Sequence, residues 1–170
     1  MRVLGDGCRA SAEPRARSPH VSPATPIVFV VDDDVSVRES LELLILSEGW
    51  QPETFDSAQA FLARPPAPAP CCLVLDISLP DLNGLDLQKR VADARAGMPI
   101  VFITGYGDIP MTVRAMKAGA VEFLTKPFQE DDLLGAVRQA IERSRAAMQE
   151  EADLHDLRGR FLQHQQPAWT

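Results

Sequence analysis

The sequence predicts an α/β domain, a five-stranded parallel sheet with five helices on its two faces and a helical extension at the C-terminal end. Three observations predict it. Short, β-branched, uninterrupted apolar runs recur along the chain, the pattern of strands buried on both faces. Segments with a helical apolar period separate those runs. Four of the runs stop at polar residues, and in a parallel sheet all four stops fall on one edge.

In chain order, residues 1–25 are rich in Arg, Ser, Pro, Ala and Gly and lack any apolar period, so a disordered arm is expected. The run Ile27–Val31 reads as the first strand and ends in Asp32-Asp33-Asp34. A helix follows with Val37, Leu41, Leu44 and Ile45 on one stripe, and Gly49 stops it. Residues 51–55 form a second strand, and Ser57 caps a short helix carrying Phe61 and Leu62. The segment RPPAPAP at 64–70 is an extended spacer. Residues 72–76 make a third strand that ends in Asp76. Residues 80–84 form a loop before a helix with Leu87 and Val91. Residues 99–104 make the fourth strand, broken by Gly105 and Gly107. Asp108 caps the next helix, where Pro110 sits in the first turn and needs no amide donor; Gly119 ends it. Residues 121–124 are the fifth strand, followed by Thr125-Lys126-Pro127, and the next helix carries Leu133, Leu134, Val137 and Ile141. Helix-prone sequence continues to about Phe161, with Ala147, Leu154 and Phe161 in heptad spacing, Leu157 between them and Glu150 interrupting the seam. Residues 163–170 are polar and expected to fray.

Composition narrows the function. The 170-residue chain has a formal net charge of -7, which argues against direct nucleic-acid binding. Of the three cysteines, Cys71 and Cys72 are adjacent and lead into an apolar run, so reduced residues at a buried strand are expected, with a cytoplasmic location. No apolar stretch is long enough to span a membrane, and the arginine-bearing N-terminus has no apolar signal core.

The polar residues at the strand ends carry the chemistry. Asp32 and Asp33, Asp76, Thr104 and Lys126 converge on one crevice. Close carboxylates raise one another's pKa unless a cation intervenes. An acid cluster without His or Cys suits a hard cation with oxygen ligands, Mg²⁺ before Zn²⁺. An Asp carboxylate is a nucleophile toward phosphoryl groups, and phosphoryl transfer needs charge neutralisation that a metal, an ammonium and a hydroxyl supply.

The blocks Val30 to Asp34, Leu75 to Gly84, Ile103 to Asp108 and Thr125 to Phe128 resemble, in order and spacing, the signature blocks of response-regulator receiver domains of bacterial two-component systems. The segments at 107–111 and 115–120 are similar to the FixJ-like branch. The resemblance covers about residues 26–145 and implies a flavodoxin-like strand order 2-1-3-4-5. It implies that Asp76 is the phosphoacceptor and that Mg²⁺ (or Mn²⁺) is held by Asp33, Asp76, Asp32 and the Ser78 backbone carbonyl. Thr104 and Lys126 would hold the phosphoryl oxygens, Phe123 would be the aromatic switch, and Ser78 and Tyr106 would tune the lifetime of the phosphorylated state. The Lys126–Pro127 bond is expected to be cis, and Asp34 to be mainly structural. A sensor histidine kinase is the implied phosphodonor, and the implied consequence is homodimerisation through the fourth helix, fifth strand and fifth helix.

The expected organisation is an arm at 1–25, a receiver domain at 26–145 and a helical linker with a frayed tail at 146–170. FixJ-like regulators continue into a helix-turn-helix domain, whereas about 25 residues follow residue 145 here. A stand-alone receiver or a truncated regulator is therefore expected, not an enzyme beyond its own phosphorylation and dephosphorylation. The alternative is an Mg²⁺-dependent phosphohydrolase with an aspartyl-phosphate intermediate. It is disfavoured because Ser78 stands where such enzymes carry a second acid.

Overall fold

The computed structural model describes residues 25–164 apart from residues 96 and 106. The expected N-terminal arm, Cys8, Tyr106 and the end of the expected tail lie outside the described residues. The elements are β1 (Ile27–Val31), α1 (Val35–Ser47), β2 (Gln51–Phe55), α2 (Ala58–Ala63), β3 (Cys71–Asp76), α3 (Gly84–Ala94), β4 (Ile100–Thr104), α4 (Ile109–Lys117), β5 (Glu122–Thr125) and α5 (Glu130–His164). The strands pair in parallel in the order β2-β1-β3-β4-β5, as expected.

Alternation along β1 divides the core in two. Ile27, Phe29 and Val31 point to one face, where they join Leu73, Leu75, Phe102 and the helices α2, α3 and α4. Val28 and Val30 point to the other, with Val74, Val101 and Ile103, under α1 and α5. The apolar runs are continuous because both faces are covered. Each large side chain moved from water into this core contributes about 1.5–3 kcal/mol. Phe61 adds edge contacts with Phe29 and Phe55 at ring-centroid distances of 5.4 and 5.6 Å, and the Phe29 and Phe55 rings lie tilted at 6.3 Å.

The helix punctuation follows the side chains expected to provide it. Ser57 and Asp108 accept from the amides of Ala60 and Met111 at the starts of α2 and α4. Gly49 and Gly119 take φ of +80° and +102° just beyond α1 and α4, a region that favours glycine. The boundaries differ in four places. β4 starts one residue later than expected, at Ile100. β3 starts one residue earlier, at Cys71. β5 runs one residue later than expected, because its ladder with β4 pairs Val101 with Glu122 through Thr104 with Thr125. Residue 84 opens α3 rather than closing a loop, because the Asn83 side chain caps the helix by accepting from the Leu85 amide. The last helix runs unbroken over 35 residues to His164. Among the described residues, no helix is long and apolar enough to cross a membrane.

Candidate functional site

The carboxyl edge of the sheet gathers the predicted polar residues, because β1, β3, β4 and β5 all end there. Asp32 follows β1 and is fully buried; Asp76 ends β3 and is 5% exposed. Neighbouring strand ends bring Asp32, Asp33 and Asp76 together, with carboxylate oxygens within 4.8 Å of one another. Asp33 itself is exposed. Lys126, just past β5, reaches across the edge. Its ammonium donates to Asp32 Oδ2 at 2.8 Å and to Asp76 Oδ2 at 3.0 Å.

The remaining oxygens are also engaged. Asp32 Oδ1 accepts from the Asp34 amide at 2.9 Å, and Asp76 Oδ1 accepts from the Ser78 amide at 3.0 Å. Arg38 Nη1 donates to the Asp32 carbonyl at 2.7 Å. Burial pushes the Asp32 carboxyl above the usual carboxylate range, opposed by the hydrogen bond from Lys126. Burial also pushes Lys126 down, but its hydrogen bonds to Asp32 and Asp76 prevail and hold the ammonium above its usual value.

Thr104 is fully buried at the end of β4, and its carbonyl accepts from the Lys126 amide at 2.7 Å. The Lys126–Pro127 bond is cis. Phe123 on β5 is half-buried, its ring centroid 6.0 Å from that of Phe102. Ser78 is exposed beside Asp76. Asp34 has the structural position expected of it: it caps α1, accepting from the Ser36 amide and hydroxyl, and the Ser36 hydroxyl first of all holds its carboxyl below the usual range.

Several supporting residues escaped the sequence reading. Gly84 packs against the backbone behind Asp76: a Cβ there would lie 2.7 Å from Ile77 Cα and 3.1 Å from the Asp76 carbonyl oxygen. At Gly107 a Cβ would meet the Phe123 ring at 3.0 Å and Thr104 Cγ2 at 3.1 Å. At Gly105, next to Thr104, a Cβ would meet nothing within 4 Å, so the backbone there borders open space. Asp81 ties the β3–α3 loop to the start of α2, accepting from the amides of Ala58 and Gln59 at 3.2 and 3.0 Å. Glycine spacing in the signature blocks hinted at the first two; nothing local marked the third.

Three all-oxygen side chains beside one ammonium can hold a hard cation and face a phosphoryl group. Known proteins carry the same arrangement of elements. The family described as the response regulator receiver domain matches residues 28–138. Nodulation protein W of Bradyrhizobium diazoefficiens is 47% identical over 148 residues, covering 86% of this chain and 65% of its own length. The transcriptional regulatory protein FixJ of the same organism is 41% identical over 133 residues, covering 78% of this chain and 65% of its own. The solved structure of the response regulator StyR is 49% identical, with a TM-score of 0.76, over 81% of this chain and 70% of that one. The chain thus spans between half and two thirds of the length of the curated relatives it matches. With this fold, this edge and these relatives, the chain belongs to the response regulator receiver domain family of two-component systems, on its FixJ-like side.

Proposed function

We propose that Asp76 accepts a phosphoryl group from a phosphohistidine on a sensor histidine kinase, in a reaction dependent on Mg²⁺, and that phosphorylation switches the domain's surface. The observation that carries this reading is the meeting of Asp32, Asp33 and Asp76, with the Lys126 ammonium bonded to Asp32 and Asp76. The donor set fits Mg²⁺, and Mn²⁺ as well: it is all oxygen, partly open to water through Asp33, and free of His and Cys. Asp33, Asp76, Asp32 and the Ser78 carbonyl would hold the ion. When bound, it supplies neutralising charge to the phosphoryl oxygens.

The chain's own groups do the rest. An Asp76 carboxylate oxygen attacks phosphorus; the new P–O bond forms as the P–N bond breaks, and the electron pair leaves on the imidazole. Lys126, already 3.0 Å from Asp76 Oδ2, turns to the phosphoryl oxygens, as does the Thr104 hydroxyl. Thr104 and Phe123 share the space left by the absent side chain of Gly107, so movement of one is felt by the other. Ser78 and Tyr106 tune the lifetime of the product.

The output surface is the α4–β5–α5 face, where Ile109, Val113 and Met116 stand exposed on α4, and the expected consequence is pairing of two copies. FixJ is named a transcriptional regulatory protein, and transcription is the readout we assign to the longer regulator type. Intact-mass measurement after treatment with acetyl phosphate and Mg²⁺ tests the reading. One added phosphoryl group is expected on the wild type and none on Asp76→Asn; an unmodified wild type, or an equally labelled variant, refutes it.

A further inference from the structure

At the opposite end of the molecule, α5 leaves the domain. Its side chains pack on the sheet as far as Ser144, and every residue from 148 to 162 is exposed. Beyond Glu151, about 20 Å of helix therefore stands without tertiary support among the described residues, and helices of this length are marginal alone in water. The projecting part carries an apolar stripe, with Leu154 57%, Leu157 60% and Phe161 64% exposed. Where α5 leaves the body, a cavity of about 320 Å³ opens among Pro66, Ala69, Met98, Ala147, Met148 and Glu151. It is largely apolar and has room for an aromatic side chain.

We propose that two copies of this chain pair through antiparallel α5 helices crossing at Leu154, each placing Phe161 in the other's cavity. The spacing carries it. Ala147 and Phe161 lie seven residues before and after Leu154, so an antiparallel pair centred on Leu154 sets Phe161 of one copy level with Ala147 of the other. The small side chain of Ala147 and the absence of one at Gly97, which both line the cavity, leave the room. Charge agrees with the same register. Glu151 lies three residues before Leu154 and Arg158 four after, so they meet across the pair on both sides. Neither has an opposite charge three or four residues away in its own helix. The interface is isologous, each copy giving one ring and one cavity, and so closes as a dimer. Burying Leu154, Leu157, Phe161 and the cavity wall on both copies removes on the order of 1,000 Å² from water, the low end for a specific interface, and affinity in the micromolar range is expected.

This pairing is independent of phosphorylation and of the α4–β5–α5 face. Sedimentation equilibrium of the full 170-residue chain, without phosphodonor, tests it. A reversible monomer–dimer equilibrium is expected, and Phe161→Ala should weaken it by about tenfold or more, as for a buried anchor. Glu151→Arg and Arg158→Glu should each weaken it, and the two together should restore it; parallel packing would not couple these positions. All three residues are exposed, so far-UV circular dichroism and phosphoryl labelling should confirm an intact domain in each variant. A monomer up to millimolar concentration, a dimer untouched by Phe161→Ala, or a double variant no better than the single ones would each overturn the proposal.

Discussion

At the amino edge of the sheet, β1, β3 and β4 are entered from Pro26, Pro70 and Pro99, whereas at the carboxyl edge the same strands run out into Asp32, Asp76 and Thr104. The amino edge is closed by backbone. The three proline carbonyls accept from Gln51, Ile27 and Leu73 of the neighbouring strands at 2.9–3.0 Å, and proline brings no amide that would need a partner. The carboxyl edge has backbone bonds too, the Lys126 amide to the Thr104 carbonyl at 2.7 Å among them, but it also gathers acids whose charges oppose one another and which Lys126 bridges. One edge is built to keep strands in register; the other keeps charge at a distance where a ligand can change its balance. The difference teaches where stability and function part in this fold, and substitutions at each edge should separate them.

The largest effect should come from behind the site. Gly84→Val drives a branched side chain into the Ile77 backbone, and a loss of about 3 kcal/mol is expected, the upper range for overpacking. Urea unfolding would measure it, and an unchanged midpoint would show that the β3–α3 loop yields freely. Next is Lys126→Met, which leaves Asp32 and Asp76 without their shared cation. For a lysine still partly exposed, we expect a loss of about 2–3 kcal/mol in EDTA, much of it recovered with Mg²⁺. Equal stability with and without metal would contradict a shared cation site.

The amino edge should behave in the opposite way. Cys72 is fully buried on β3, and burial drives its thiol far above the usual range, so it packs as a small apolar group. Cys72→Ser should cost about 1–2 kcal/mol through a buried hydroxyl, yet leave labelling by acetyl phosphate unchanged. Loss of labelling in a folded variant would mean that the two edges are coupled.

The smallest effect is a matter of sign. Asp32 has a folded-state pKa above its unfolded value of 3.8, because burial disfavours its charge. The native state then holds a proton that the unfolded chain has released, so this group's contribution falls as pH rises from 3.8 through the raised native value. Above that window the full cost of the buried charge is present. In metal-free buffer, the wild type should lose stability relative to Asp32→Asn across this window; parallel curves would remove Asp32 as the cause.

Much of this was legible in the chain. The continuous apolar runs announced strands covered on both faces, and the cores under α1 with α5 and under α2, α3 and α4 are that expectation realised. The acids and the lysine could be placed on one edge because parallel strands all end on the same side. Caps at Ser57 and Asp108 were readable because a cap is a local hydrogen bond. The close packing at Gly84 and Gly107 was not, because it depends on which backbone and which ring arrive from distant parts of the chain. Nor was the tie from Asp81 to α2, across 22 and 23 residues.

By itself, then, the sequence determined the alternation of strands and helices, the covered faces and the list of polar groups at the strand ends, since periodicity and capping act within a few residues. Only the tertiary structure decided that Lys126 bridges Asp32 and Asp76, that glycine is required behind the site, and that a cavity waits beside Ala147 while the stripe ending at Phe161 stands bare. Those features are distances between residues far apart in the chain, and such distances exist only once the sheet has set its order and register.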